Sequence, residues 1–152
     1  MNADQLLNEL GLTMGLPNLR FDEHGCARLM FDGKTAIDLE ADSETGMLQV
    51  YSVLSPLPAE GRETTFLSLL EGNLFGTQTH GATLAVDSLY NEVLLCRTVD
   101  TEQMSGASFA TMIERFVDSV ETWKERIEGM PAEQDRMAFG GESVPVGEFI
   151  RG

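Results

Sequence analysis

Apolar side chains recur along this chain with two different periods, and the places where the period changes mark out its elements. Leu6, Leu7 and Leu10 fall on one side of a helix near the start, with Asn2 or Asp4 to cap it and Gly11 placed to end it. So short a helix is not stable alone and must dock on something. From residue 19 the spacing becomes that of strands, at 19–22, 26–31, 34–40 and 47–54, separated by Glu23-His24-Gly25, by Asp32-Gly33 and by residues 41–46. Asp-Gly between two such runs signals a hairpin, because both central positions of a type I′ turn need positive φ. Pro56 and Pro58 then break the chain. A helix follows over 61–75, a second hairpin over 83–87 and 92–99, and a last helix over 105–128 that Gly129 and Pro131 stop. The order α-β-β-β-β-α-β-β-α predicts an α+β fold, a twisted antiparallel sheet flanked by three helices.

Two regions are more apolar than one buried face requires. Cys26, Leu29, Met30 and Phe31 put apolar side chains on both sides of the second strand, and Val50, Tyr51, Val53 and Leu54 do so on the fourth. An ordinary antiparallel sheet leaves one face polar, so something is expected to cover both. In the middle helix Phe66, Leu67, Leu69, Leu70 and Leu74 span an arc of roughly 160°, wider than the stripe that faces a single core. Either a second copy of the helix covers the excess, or the helix is deeply buried in a monomer.

Beyond residue 129 the periodicity is lost and Gly and Pro accumulate. The chain therefore divides into a domain over 1–129 and a tail over 130–152 expected to be flexible. The tail's Met137, Phe139, Val144, Val146, Phe149 and Ile150 leave docking on the domain or on a partner open. Against 10 Lys and Arg stand 25 Asp and Glu, a net charge of -15. Such a surface repels phosphate backbones and anionic lipid, which argues against nucleic-acid and membrane partners. It suits a protein that meets basic or unfolded polypeptide, since net charge opposes self-association of exposed apolar surface. The opening MNADQLLNEL has no basic region followed by a long apolar core, and no segment is long enough to span a bilayer, so a cytoplasmic protein is expected.

The residue types of several chemistries are present without their spacing. His24, Cys26, His80 and Cys96 could ligate zinc but lack the close ligand pairs of such sites. Cys26 or Cys96 with a histidine could form a nucleophilic pair, although no nucleophile elbow or oxyanion loop accompanies them. Buried reduced thiols are the simpler reading. Asp38, Glu40, Asp42 and Glu44 alternate as a carboxylate ladder that lacks the EF-hand arrangement and reads as a solvated strand end. Gly72, Gly76 and Gly81 have no following Gly-Lys-Ser/Thr and read as turn residues rather than a phosphate loop.

The stretch 72–99, GNLFGTQTHGATLAVDSLYNEVLLCRTV, carries Asn-Leu-Phe, Gly-Ala-Thr-Leu-Ala-Val-Asp and Asn-Glu-Val-Leu-Leu-Cys segments. With the earlier Gly15-Leu16-Pro17, the Gly25-Cys26 turn, the strand ending in Asp32 and the final helix bearing Phe116 and Trp123, it resembles the class I type III secretion chaperones, the CesT-like Tir-chaperone family, over residues 3 to 128. The resemblance implies a bacterial cytoplasmic homodimer without cofactor or catalysis. Such a protein binds the N-terminal segments of one or more secreted effectors in extended, nonglobular form, keeps them secretion-competent and targets them to the export apparatus. The tail makes the chain look like those members that serve several effectors and engage the type III export ATPase. Client grooves are expected at Leu6, Leu10, Leu16, Leu19, Phe21 and Met30, where apolar clusters lack an obvious internal partner, and the dimer seam at Phe66, Leu70 and Leu74. Two other readings stand beside it: a regulatory protein of the same fold that sequesters a transcription antiactivator, and a small cysteine-dependent hydrolase.

Overall fold

Local side chains decide where the helices begin. The Asn2 carboxamide accepts the N–H of Gln5 while the Gln5 side chain accepts the N–H of Asn2, a reciprocal capping box that starts α1 (Ala3–Met14). The helix runs past Gly11 and ends at Gly15, whose left-handed φ closes it. Ser105 caps α3 (Gly106–Glu128) through the N–H of Ser108. Between them lie β1 (Cys26–Phe31), β2 (Thr35–Asp42), β3 (Met47–Pro56), α2 (Arg62–Gly72), β4 (Thr83–Asp87) and β5 (Glu92–Asp100), with single 3-10 turns at Leu74–Gly76 and Thr101–Gln103. The computed structural model describes residues 1–130, so the expected tail falls, apart from Met130, outside the described residues.

The strands form one antiparallel sheet in the spatial order β1-β2-β3-β5-β4, with β1 and β4 at the edges. The β1–β2 turn has positive φ at both Asp32 and Gly33, as the Asp-Gly signal requires. The α+β class, the antiparallel sheet and the three helices are as expected, with one correction. Segment 19–22 is not a strand. Asp22 Oδ1 accepts the N–H groups of His24 (2.8 Å) and Cys26 (2.9 Å), and the Asp22 N–H donates to the Cys26 carbonyl (2.8 Å), so the chain enters β1 through a tight turn instead of a further ladder. Three strands, not four, precede α2.

Register decides which side chains meet the helices. Leu29, Ile37, Leu39, Leu48, Val50, Leu54, Val93, Leu95 and Val99 are buried on one face, beneath α3, which crosses β2 and β3 and carries α1 on its flank. Leu6, Leu7 and Leu10 join Phe109, Phe116 and Trp123 in that same core. Docking against α3 thus supplies the partner that α1 needs. Arg28, Met30, Asp38, Glu40, Gln49, Tyr51, Leu94 and Cys96 take the opposite face. Within the described residues no element lies over it, so the expected cover is present on one face only.

The end of α2 meets the sheet through a close approach. The Gly72 backbone lies against the Trp123 indole, where a Cβ would run into the ring and come within 2.8 Å of Leu84 Cδ1. Gly72 is therefore a packing residue in the last helical turn rather than the turn residue its sequence context suggests. Trp123 Nε1 donates to the Gln78 carbonyl (2.9 Å), which leaves the buried indole satisfied. Gly72→Val should lower the unfolding free energy by roughly 1–3 kcal/mol through overpacking, read as an earlier urea midpoint together with a red shift of Trp123 emission in the native state. An unchanged midpoint would show that α2 can pull away from Trp123 without cost.

Candidate functional site

Exposed apolar side chains gather on α2, on the turn that follows it and on the edge strand β4. Leu67 and Leu70 share one face of α2 and are exposed, Leu70 by 69%, Leu74 in the turn after the helix is exposed as well, and Phe66 is half-buried against the core. A groove of about 420 Å³ between α2 and β4 is lined by Phe66, Leu69, Leu70, Asn73, Leu84, Ala85 and Val86. An apolar surface of this kind on a chain otherwise rich in carboxylates marks a site of association.

Phe75 extends the same surface and was not legible in the sequence as distinct from the helix before it. The expected helix to residue 75 stops at Gly72, and Phe75 adopts φ +58°, a left-handed conformation that phenylalanine rarely takes. The Asn73 side chain accounts for the break. Its Nδ2 donates to the Leu84 carbonyl (3.0 Å) and its Oδ1 accepts the Leu84 N–H (2.7 Å), so it pairs with β4 as a strand neighbour would. Helix and sheet edge are locked together there, and Phe75 is turned outward with 90% of its surface exposed.

Of the residues expected to hold a client, the structure separates two groups. Leu6 (0% exposed) and Leu10 (3%) are core residues packed between α1 and α3, so they offer no surface for a client; their helical spacing aims them at the internal partner that α3 supplies. Leu16 and Met30 are exposed, and Leu19 and Phe21 are half-buried against the core. These four lie on the segment leading into β1 and on β1 itself, which is an edge strand.

The uncovered sheet face holds a shallow depression of about 610 Å³ floored by Tyr51, Val53, Leu94 and Cys96 and rimmed by Asp38, Glu40, Asp87 and Glu92. Arg28 grips Asp38 across the strands with two hydrogen bonds, Nε to Oδ1 at 2.7 Å and Nη2 to Oδ2 at 3.1 Å. Farther along the carboxylate ladder, Asp42 accepts the N–H of Glu44 and the hydroxyl of Thr45 in the turn before β3, and the Thr45 hydroxyl, then the Glu44 amide, hold its carboxyl below the usual range.

Burial and then the Asp22, Glu40 and Asp38 carboxylates push the Cys26 thiol up, and burial pushes Cys96 up. Both shifts oppose thiolate formation, the reverse of what a nucleophilic cysteine needs. His24 is highly exposed beside Glu23, and His80 lies against Ser119 of α3. Among the described residues no three His, Cys, Asp or Glu side chains converge as metal ligands would. No helix among them is long and apolar enough to cross a membrane.

Comparison with known proteins agrees with this geometry. The model of the Tir chaperone protein (CesT) family matches residues 5–124. The transcriptional anti-antiactivator ExsC of Pseudomonas aeruginosa is 26% identical over 146 residues, 95% of this chain and 96% of its own. The crystal structure of the ExsC-ExsE complex contains a chain that superposes with TM-score 0.68 at 25% identity, covering 82% of this chain and 96% of that one. The Yersinia pestis type III secretion chaperone SycH, solved with a stable fragment of YscM2, has the same fold at TM-score 0.62 and 22% identity, over 78% of this chain and 97% of that one. With a family model spanning α1 through most of α3, this chain belongs to the Tir chaperone protein (CesT) family.

Proposed function

We propose that this chain is a cytoplasmic type III secretion chaperone that acts as a homodimer and holds the N-terminal segment of a secreted effector in extended form until export. The observation that carries the reading is the family match across nearly the whole described fold, in a chain whose surface keeps Leu67, Leu70, Leu74, Phe75 and Val86 exposed beside one groove. A second copy is the natural cover for that surface, because the wide arc of α2 exceeds what its own sheet can bury. The dimer seam then comprises Phe66, Leu70 and Leu74, with Phe75 added. The client lies along the β1 edge, where strand addition supplies backbone hydrogen bonds and Leu16, Leu19, Phe21 and Met30 supply side-chain contacts. The export ATPase is a further partner of the loaded dimer. Nothing in this work requires a bond to be made or broken, and the raised thiol pKa values support a protein that is not an enzyme.

One observation favours a regulatory variant of the same reading. The full-length relative is an anti-antiactivator, aligned over 95% of this chain. A partner that represses transcription would then be bound in the same way as an effector.

Light scattering on a sizing column should give twice the chain's mass for the protein alone, and the mass of one added chain after co-expression with the N-terminal region of an effector encoded beside it. Leu70→Asp should weaken the dimer at least about thirtyfold, the scale of a loss near 2 kcal/mol at an interface hot spot. A wild-type monomer at micromolar concentration would sink the dimer. Met30→Asp should reduce client retention while leaving the dimer mass unchanged; retention at the wild-type level would move the client elsewhere. Both cysteines should react with iodoacetamide no faster than free cysteine at pH 7, and replacing both with serine should leave client binding intact. A thiol that reacts far faster would reopen the hydrolase reading.

A further inference from the structure

Acidic residues outnumber basic ones by 25 to 10 in this chain, yet one cleft is lined by two arginines and no carboxylate. It occupies about 460 Å³ between the first half of α3 and the far end of β5, with His80, Arg97, Met104, Ser108, Met112 and Arg115 in its wall. Neither Arg97 nor Arg115 makes an ion pair among the described residues. Arg97 is positioned by the chain around it: its Nη1 donates to the His80 carbonyl (3.1 Å), and the His80 ring shares a 2.7 Å hydrogen bond with the buried Ser119 hydroxyl. Two guanidinium groups therefore face a common space with donors to spare.

The cleft adjoins an uncovered strand edge. Pairing between β4 and β5 ends at Thr83 and Cys96, so residues 97–100 of β5 have no strand on their outer side. Backbone groups in an antiparallel strand point alternately to its two sides. The Leu84 N–H and C=O point away from β5, as their bonds to Asn73 show, which places Leu94 and Cys96 toward β4 and turns the Thr98 N–H and C=O to the uncovered side. Among the described residues no turn, loop or side chain bonds to that part of the Thr98 backbone. A strand added there would pair with Thr98, and its neighbouring residues would lie opposite Arg97 and Val99, with side chains toward the helices. Val99 is core, whereas the Arg97 position opens into the cleft.

We propose that the outer edge of β5 takes an extended acidic segment of a partner polypeptide, paired with Thr98 and placing an Asp or Glu side chain between Arg97 and Arg115. Planar guanidinium groups hold a carboxylate by paired charge-assisted hydrogen bonds; Asp100, the nearest carboxylate along β5, has one oxygen engaged by the Glu102 N–H, and salt screens carboxylates beyond about 8–10 Å. A nucleic acid would bring its whole charge against the net -15 and is disfavoured. The site is separate from the α2–β4 surface and from the β1 edge, and it stands whether or not those surfaces act as stated above.

The test is NMR titration of the ¹⁵N-labelled full chain with an acetylated octapeptide of alternating glutamate and valine. Shifts should concentrate at the amides of Thr98 to Asp100 and at the Nε groups of Arg97 and Arg115, and should weaken as NaCl is raised. The R97Q/R115Q variant should bind at least about tenfold more weakly, R97K/R115K should recover part of the affinity, and the peptide with glutamine for glutamate should not bind. Equal binding by the glutamine peptide, unchanged affinity in R97Q/R115Q with a native spectrum, or shifts confined to the open sheet face would overturn the proposal. It would also fall if the peptide bound only to a chain ending at residue 130, because the cleft would then belong to the chain's own C-terminal residues. A concentration-dependent mass that R97Q/R115Q abolishes would assign the edge to a second copy and overturn it likewise.

Discussion

The indole of Trp123 is the contact on which the arrangement of the other surfaces depends. Its ring fills the space that Gly72 leaves open at the end of α2, and its Nε1 holds the Gln78 carbonyl, so one side chain from α3 fixes both the helix end and the loop that follows it. Arg126, one turn further along α3, lies 4.8 Å above the indole and donates to the Gln78 side chain, closing the contact from the solvent side. With α2 held at that point, the Asn73 amide reaches the Leu84 backbone, and the apolar face of α2 stands beside the edge of the sheet.

Exposed apolar area and a large net charge belong together here. The same surface that lets a binding protein associate with a partner invites self-association, and a charge of -15 opposes that, with a reach that salt limits to about 8–10 Å. Charge is also distributed with purpose. Carboxylates rim the open face of the sheet, where Arg28 is neutralised by Asp38, whereas Arg97 and Arg115 stand without ion-pair partners among the described residues on the other side of the molecule.

Among the described residues four non-glycine positions have positive φ, Asp32, Phe75, His80 and Asn91, and Phe75 is the bulky apolar one among them. Phe75 keeps a left-handed backbone although it makes little contact that would repay it, held there by the pairing of Asn73 with β4. The edge strands are treated differently from one another. At β4 the Leu84 groups are capped by Asn73 and the Ala82 groups by Thr79, so that edge is largely closed to added strands. The β1 edge and the end of β5 keep backbone groups without a strand partner among the described residues.

Much of the fold was legible because its signals are local. Strand β1, the Asp32-Gly33 hairpin and the span of the last helix depend on residues within a few positions of each other, and each falls where the pattern of the sequence puts it to within a residue. The wide apolar arc of α2 was legible for the same reason. Alternation in residues 19–22 also looked like a strand, but whether alternating residues form one is settled by a partner ladder, and Asp22 spends its hydrogen bonds on a turn. Leu6 and Leu10 have the same composition whether they face a client or a core; only the docking of α1 on α3 decided that they are core. Phe75, Gly72 and the Arg97–Arg115 cleft depend on contacts between residues far apart in the chain, which periodicity cannot encode. By itself the sequence determined the elements, their order and the charge of the surface, since backbone preference and side-chain spacing act over one or two turns. Which apolar residues stayed outside, and which cations came to share a cleft, were decided by tertiary packing, because burial is a property of what lies across the interface and not of the residue.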